Sequence, residues 1–274
     1  MELEHLYIDR LLALVLDQTG TDLTGYRRPA LSWCISHRLS QLGKSEDQYL
    51  AFCQNDEGEC RELRQAISVN VSSFFRDPIV FEILAQSIIP DLMARNGDLR
   101  IWSAGCAAGE EAYSVAILIL EALEAMPGAE VNPLIFATDI DQEVLAKAAT
   151  AFYPPESLAD TKLRIVETYF SPVRDGFELC PEARNMVHFS SGDLLSPHTF
   201  APADSIFGSF DIVLCRNTMI YFSTERQARV MMKLYQTLEK GGHLILGESE
   251  VVGRNLKPQF ETVNARNKIF RKER

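Results

Sequence analysis

Leu99-Arg-Ile-Trp-Ser-Ala-Gly-Cys-Ala-Ala-Gly-Glu-Glu111 is the stretch that decides the fold. A short apolar run turns through a loop of small residues straight into a long apolar helix. Such a strand–glycine loop–helix unit lets backbone approach a ligand closely and leaves free N–H groups at the helix start. Glu110 and Glu111 stand where a phosphate-binding loop would place bare amides or a lysine. The loop therefore favours a nucleoside carrying positive charge over a nucleotide carrying phosphates.

Outward from this loop the chain alternates. Apolar runs at 99–103, 133–138, 186–190, 210–215 and 243–247 read as strands, and helical patterns fall at about 110–125, 141–151 and 224–239. Strands separated by helices predict parallel βαβ units and a doubly wound α/β sheet. The last helix is expected to open on a capping box, Thr224-Glu-Arg-Gln227, and to stop at Gly241-Gly242, before a closing hairpin from Gln259 to Arg271. Between 153 and 186 the rhythm fails, and Pro154-Pro155, Ser171-Pro172 and Asp175-Gly176 suggest a small inserted lobe. Upstream, residues 1 to about 70 read as helical: Leu11, Leu12, Val15 and Leu16 mark one helix ended by Gly20, and Pro29 to Leu42 a second ended by Gly43. Ser45-Glu-Asp-Gln48 is a capping box that opens a third. Asp77-Pro78 reads as a capped start for a helix from Ile79 to Ile89.

Composition narrows the class. The chain has 274 residues, 46% of them hydrophobic, enough for one large domain or a domain with a smaller module. It carries no run of about 18 apolar residues and no basic-then-apolar leader, so a soluble cytoplasmic protein with no membrane insertion is expected. Six scattered cysteines without a C-x-x-C pair read as reduced thiols, and neither they nor the five histidines show metal-ligand spacing. A net charge of −11 argues against broad nucleic-acid binding.

In a doubly wound sheet, ligands sit at the carboxyl ends of the strands. Four segments fall there: the loop at Gly105, Ala137-Thr-Asp-Ile-Asp141, Gly192-Asp193-Leu194-Leu195, and Cys215-Arg-Asn-Thr-Met-Ile-Tyr-Phe222. A carboxylate at Asp139 can accept from both ribose hydroxyls, although Asp139 with Gln142 also fits a capping box and Asp141 could cap as well. Asp193 is placed to meet an adenine edge or to close a turn. Asn217 could be a turn residue and Tyr221 a core aromatic. Gly109 and Asp139 are 30 positions apart, more than the roughly 20 of dinucleotide folds, which disfavours NAD.

Taken in order, Asn70-Val-Ser-Ser-Phe-Phe-Arg76, the Ile101–Glu111 loop, Ala137–Asp141 and Cys215–Phe222 make the chain resemble the CheR-type chemotaxis methyltransferases. These esterify glutamates of chemoreceptors with S-adenosylmethionine (SAM), releasing S-adenosylhomocysteine (SAH). The resemblance implies a Rossmann-like class I methyltransferase sheet over 98–274 with a small inserted β-subdomain at about 153–186. An N-terminal all-helical domain would span 1–75, with a linker and connecting helix at 76–97. It places Asn70, Ser72, Arg76, Gly105, Glu111, Asp139, Asp193, Leu194, Asn217 and Thr218 at the cofactor. Glu111 would meet the methionine part, Asp139 the ribose, and Asp193 with Leu194 the adenine. Arg76 and Tyr221 would align donor and acceptor, and Glu110 reads as a solvated first-turn residue. The implied partners are the cytoplasmic domains of chemoreceptors, with no metal.

Two departures bear on the partner. The second helix contributes mainly Arg27, Arg28, His37 and Arg38, with Lys44 beyond it, fewer basic residues than the family's arginine-rich docking helix. Phe170-Ser-Pro-Val-Arg-Asp-Gly-Phe177 has one glycine where some members carry a glycine-rich loop for a receptor's C-terminal pentapeptide, so independence of that tether is expected. The alternatives are a methyltransferase for another protein or small molecule, a non-catalytic SAM-binding regulator, and, least favoured, a dinucleotide oxidoreductase.

Overall fold

The computed structural model describes residues 2–67, 72–95, 97–196, 201–202, 205 and 209–273. The chain forms two compact units, Met1–Asn70 with Tyr221–Gln227, and Val71–Ile220 with Ala228–Arg274.

The first unit holds α1 (Glu2–Thr19), α2 (Arg28–Leu42), α3 (Glu46–Asn55) and α4 (Glu57–Ile67). Leu11, Leu12, Val15, Leu31, Ile35 and Leu63 are buried in it, whereas Leu16, read from the sequence with the first three, is 44% exposed. Ser45 and Gln48 make the reciprocal capping box that opens α3, and Gly43, in the left-handed region, ends α2. Glu59 of α4 is buried, and it survives there because Arg38 donates from Nε at 2.7 Å and Nη2 at 2.9 Å while Tyr49 donates at 2.7 Å. Tyr221–Gln227 joins this unit through main-chain bonds: Arg27 N–H donates to Tyr221 O at 2.8 Å and Ser223 N–H to Gly25 O at 3.0 Å. Tyr26 meets the Phe222 ring edge-on at 5.3 Å.

In the second unit, α5 (Pro78–Ile83) runs through a π-helical turn, Leu84–Ile88, into α6 (Ile89–Met93). Then follow β1 (Gly97–Ala104), α7 (Glu110–Ala125), β2 (Val131–Asp139), α8 (Gln142–Thr150), β3 (Phe152–Tyr153), α9 (Leu163–Tyr169), β4 (Phe170–Val173), β5 (Gly176–Leu179), α10 (Pro181–Asn185) and β6 (Val187–Ser191). The chain closes with β7 (Phe210–Cys215), α11 (Thr224–Thr237), β8 (Leu238–Leu246), β9 (Phe260–Asn264) and β10 (Ile269–Lys272). Seven strands lie in the order β6-β2-β1-β7-β8-β10-β9, parallel except for β10, which runs antiparallel to β8 and β9. This is the expected α/β sheet, with α7 buried against it from Ala112 to Ile119. Strands β3, β5 and β4 form a separate three-stranded antiparallel sheet over the expected 153–186 lobe, beginning one residue earlier at Phe152.

Three local expectations are corrected. Helix α11 ends at Thr237, and Gly241-Gly242 lies inside β8. There β8 shifts register against β7, and a Cβ on Gly242 would sit 2.9 Å from Glu239 O and 3.0 Å from Asp211 O, so the glycines permit a bulge and do not stop a helix. The cap of α11 is Ser223, whose Oγ accepts from Arg226 N–H at 3.4 Å, one residue before the expected Thr224. Asp77 precedes Pro78 as predicted, but it is left-handed and its carboxylate makes no cap bond.

Candidate active site

The strand order reverses beside β1, with β2 and β6 on one side and β7 and β8 on the other, so a crevice opens at the carboxyl ends of β1 and β7. The glycine loop fills the end of β1. Gly105 N–H and Cys106 N–H both donate to Thr138 O, at 2.8 and 3.0 Å, which ties the loop to β2. Gly105 has φ +80 and a Cβ there would lie 2.4 Å from Thr218 Oγ1. Gly109 opens α7 at φ +90, with Phe189 Cζ 2.9 Å from the position of a Cβ. Both glycines are needed twice over, for conformation and for space.

At the end of β2, Asp139 is buried and accepts from Ala107 N–H and Asp141 N–H, each at 3.0 Å. Asp141, accepting from Glu143 N–H at 3.0 Å, is the cap of α8. The capping reading of Asp139 is thereby excluded. Burial pushes the Asp139 carboxyl up, and the backbone donors oppose that shift. Its oxygens retain further lone pairs for ribose hydroxyls. Asp193 closes the next loop by accepting from Leu195 N–H at 2.8 Å. Lys233 of α11 pins the same loop, donating to Leu194 O at 2.7 Å and Ser196 O at 3.0 Å. Trp102, Thr138, Gly192, Asp193, Leu194 and Lys233 line a shallow, open cleft there.

At the end of β7 stands Arg216, its side chain 3% exposed. Nη1 reaches Glu111 at 3.2 Å; Nη2 donates to Asp77 Oδ2 and to Arg76 O, each at 2.7 Å. The guanidinium lies 5.4 Å from the Phe81 ring centre. Glu111 also accepts from Ser103 Oγ at 2.7 Å. Its charge, assigned from the sequence to the cationic end of the cofactor, is thus already paired. Ser72 bonds to Glu110, which is 4% exposed and raised in pKa by burial. The solvated reading of Glu110 is wrong because the segment before α5 covers the first turn of α7, where Phe75 N–H donates to Ser114 Oγ at 3.0 Å. Asn217 is left-handed at φ 58, and Thr218 Oγ1 packs where a Gly105 side chain would be. Arg76 is exposed.

Within the second unit the fold therefore gathers Ser72, Arg76, Gly105, Glu111, Asp139, Asp193, Leu194, Asn217 and Thr218 around the carboxyl ends of the strands. Asn70 lies outside the described residues, and Tyr221 belongs to the helical unit. Sequence reasoning missed three residues: Arg216, Lys233 and Glu250, whose carboxylate accepts from backbone N–H groups of Asn217, Thr218, Met219 and Gly247. The only signal for Arg216 was a charged residue closing an apolar strand.

The family described as "CheR methyltransferase, SAM binding domain" matches residues 70–269. The chain belongs to the CheR methyltransferase family. It is similar to the chemotaxis protein methyltransferase of Salmonella typhimurium, 31% identical over 257 residues, which cover 91% of this chain and 85% of that one. Chemotaxis protein methyltransferase 1 of Pseudomonas aeruginosa is 30% identical over 269 residues, 96% of this chain and 93% of that one. An uncharacterized 104.1 kDa protein of Rhodobacter capsulatus is 36% identical over 225 residues; these cover 81% of the CheR-family chain but 23% of that longer protein.

The residues present fit SAM. Nε of Arg216 is buried and has no hydrogen-bond partner among the described residues, a donor left for an anionic group. The Gly105 cradle admits no side chain, and Asp139 keeps acceptor capacity at the end of β2. Among the described residues no helix is long and apolar enough to cross a membrane.

Proposed function

We propose that this CheR-family chain transfers the methyl group of SAM to glutamate side chains in the cytoplasmic domains of chemoreceptors, acting in the cytoplasm and yielding glutamyl methyl esters and SAH. The observation that carries the reading is the convergence of the Gly105 loop, Asp139 and the Arg216–Thr218 turn at the strand ends of a domain that matches this family. Asp139 holds the ribose, the Asp193–Leu194 loop the adenine, and Glu111 with Arg216 the methionine end. Ser72 completes the cofactor's surroundings.

When bound, SAM supplies an electrophilic methyl group on a sulfonium. A glutamate of pKa near 4.3 is protonated only about once in 500 at pH 7, so the acceptor arrives as a carboxylate and no residue has to remove a proton. Transfer to that carboxylate would exchange one C–S bond for one O–C bond, leaving the pair on sulfur, with no proton for the chain to move. What the chain supplies is alignment at roughly 3–3.5 Å, with water excluded. Arg76 and Tyr221 orient the acceptor in this reading.

The partner surface departs from an arginine-rich docking helix. Arg38 is spent on buried Glu59, Arg28 pairs with Asp9, and Arg27 Nε donates to Phe222 O at 2.8 Å, all within the helical unit. Docking through α2 therefore depends weakly on salt. Independence of a receptor pentapeptide also belongs to this reading. The β4–β5 connection is only Arg174-Asp175, and Gly176 is consumed in packing, since a Cβ there would lie 2.4 Å from Tyr153 O. Micromolar binding of such a pentapeptide in a titration refutes that part.

The deciding experiment incubates the protein with methyl-labelled SAM and receptor cytoplasmic fragments. Label released by mild base supports glutamate esterification. Base-stable label points to another acceptor atom, and SAH binding without any transfer points to a regulator.

A further inference from the structure

We propose that Glu250 is a positioning residue for methyl transfer, locking the turn after β7 so that Asn217 and Thr218 face the cofactor; this rests on the functional reading above. Glu250 sits in the turn after β8 and is 4% exposed. Its Oε1 accepts from Thr218 N–H at 3.0 Å and Met219 N–H at 2.7 Å. Its Oε2 accepts from Asn217 N–H at 3.2 Å and Gly247 N–H at 2.7 Å. Three successive amides thus point into one concavity, with Asn217 left-handed at φ 58. Such a nest is a ready anion site. Here the chain fills it with its own carboxylate, so the nest serves to fix the turn and not to receive a substrate carboxylate.

The lock reaches both walls of the site. Thr218 packs into the space above Gly105, and Arg216, at the head of the same turn, carries the bonds to Glu111, Asp77 and Arg76 O. Gly247 lets the two strand ends approach, since a Cβ there would lie 2.7 Å from Asn217 N and 3.0 Å from Glu250 Oε2. Only a carboxylate satisfies four donors on two oxygens. A glutamine of the same shape accepts from one pair and turns an NH₂ group against the other. Burial pushes the Glu250 carboxyl up while the four backbone donors oppose that shift.

The test uses the full chain and Glu250→Gln, with SAH binding by calorimetry and steady-state methyl transfer to a receptor fragment. The expected result is a rise of about tenfold or more in the KM for SAM and the Kd for SAH, with the KM for the fragment within twofold. A merely structural role would reduce the active fraction and hence kcat, leaving both KM values unchanged; that outcome in a folded variant overturns the proposal. If Glu250→Gln does not fold, hydrogen exchange on the unaltered protein decides. Protection of the amides of Asn217, Thr218, Met219 and Gly247 before SAH is added supports the lock, and protection that arises only with SAH overturns it. Failure of the unaltered protein to bind SAH refutes the functional reading instead.

Discussion

Replacing Arg216 with methionine tests the centre of the site. Methionine keeps most of the apolar length of the side chain, so the loss is electrostatic. Glu111 is 12% exposed and would keep only Ser103 as a partner among the described residues. Removing one member of a buried ion pair costs about 3–5 kcal/mol, because the remaining charge stays desolvated. Asp77 is 50% exposed and rehydrates, so its share is under about 1 kcal/mol. The sum lies near 3–6 kcal/mol. At about 2–4 °C per kcal/mol for a unit of this size, Tm falls by roughly 6–24 °C. Glu111→Gln relieves the stranded charge, so the double variant loses less than the sum of the singles, with a coupling of about 2 kcal/mol. Arg216→Lys does not restore stability, because a single ammonium cannot serve three separated acceptors as a fork does. Thermal and denaturant unfolding of the four proteins measures this cycle. An Arg216→Met variant within about 1 kcal/mol of the parent, together with additive single effects, refutes the buried Arg216–Glu111 pairing.

Gly109→Ala places a methyl at φ +90 against the Phe189 ring and lowers stability by about 1–3 kcal/mol in denaturant unfolding; a neutral variant shows that the N-cap of α7 relaxes freely. Arg76→Ala and Tyr221→Phe each reduce kcat tenfold or more while SAH affinity changes less than threefold; equal losses of binding and turnover remove them from the acceptor side. Burial pushes His243 down from 6.5 to about 4, so its stabilising effect is complete above pH 6.5 and drains away as pH falls toward 4, by at most about 3 kcal/mol. Glu110, Asp139 and Glu250, raised by burial, act with the opposite sign: their contribution is greatest in acid and is lost as pH rises through their folded values. The difference in stability between the parent and His243→Phe, followed from pH 7 to pH 4, isolates the histidine; a difference that stays constant over that range contradicts the assignment.

Local sequence was enough for features whose causes are local. The apolar run into Gly105 and Gly109 specified a strand, a loop and a helix, since left-handed glycines and period-dependent burial are properties of neighbours along the chain. Ser45-Glu-Asp-Gln48 folded as its spacing required. Where a local pattern had two readings, the fold chose: Asp139 and Asp141 both fitted a cap, and only the second makes the bond, because Asp139 turns back to the loop after β1. Gly241-Gly242 looked like a helix stop and became a bulge, since β8 pairs with β7 and β10, which no nearby residue announces.

By itself, then, the sequence determined the α/β alternation, the helical N-terminal stretch and the strand-end positions that the family motifs occupy. Tertiary structure alone decided which charges meet. Arg216 lies 139 positions from Asp77 and 105 from Glu111, and Glu250 lies 31 to 33 positions beyond the turn it holds. Their partners are set by strand order and by the closeness of β1, β7 and β8 at one edge of the crevice. A buried charge persists only where such distant donors and acceptors converge on it.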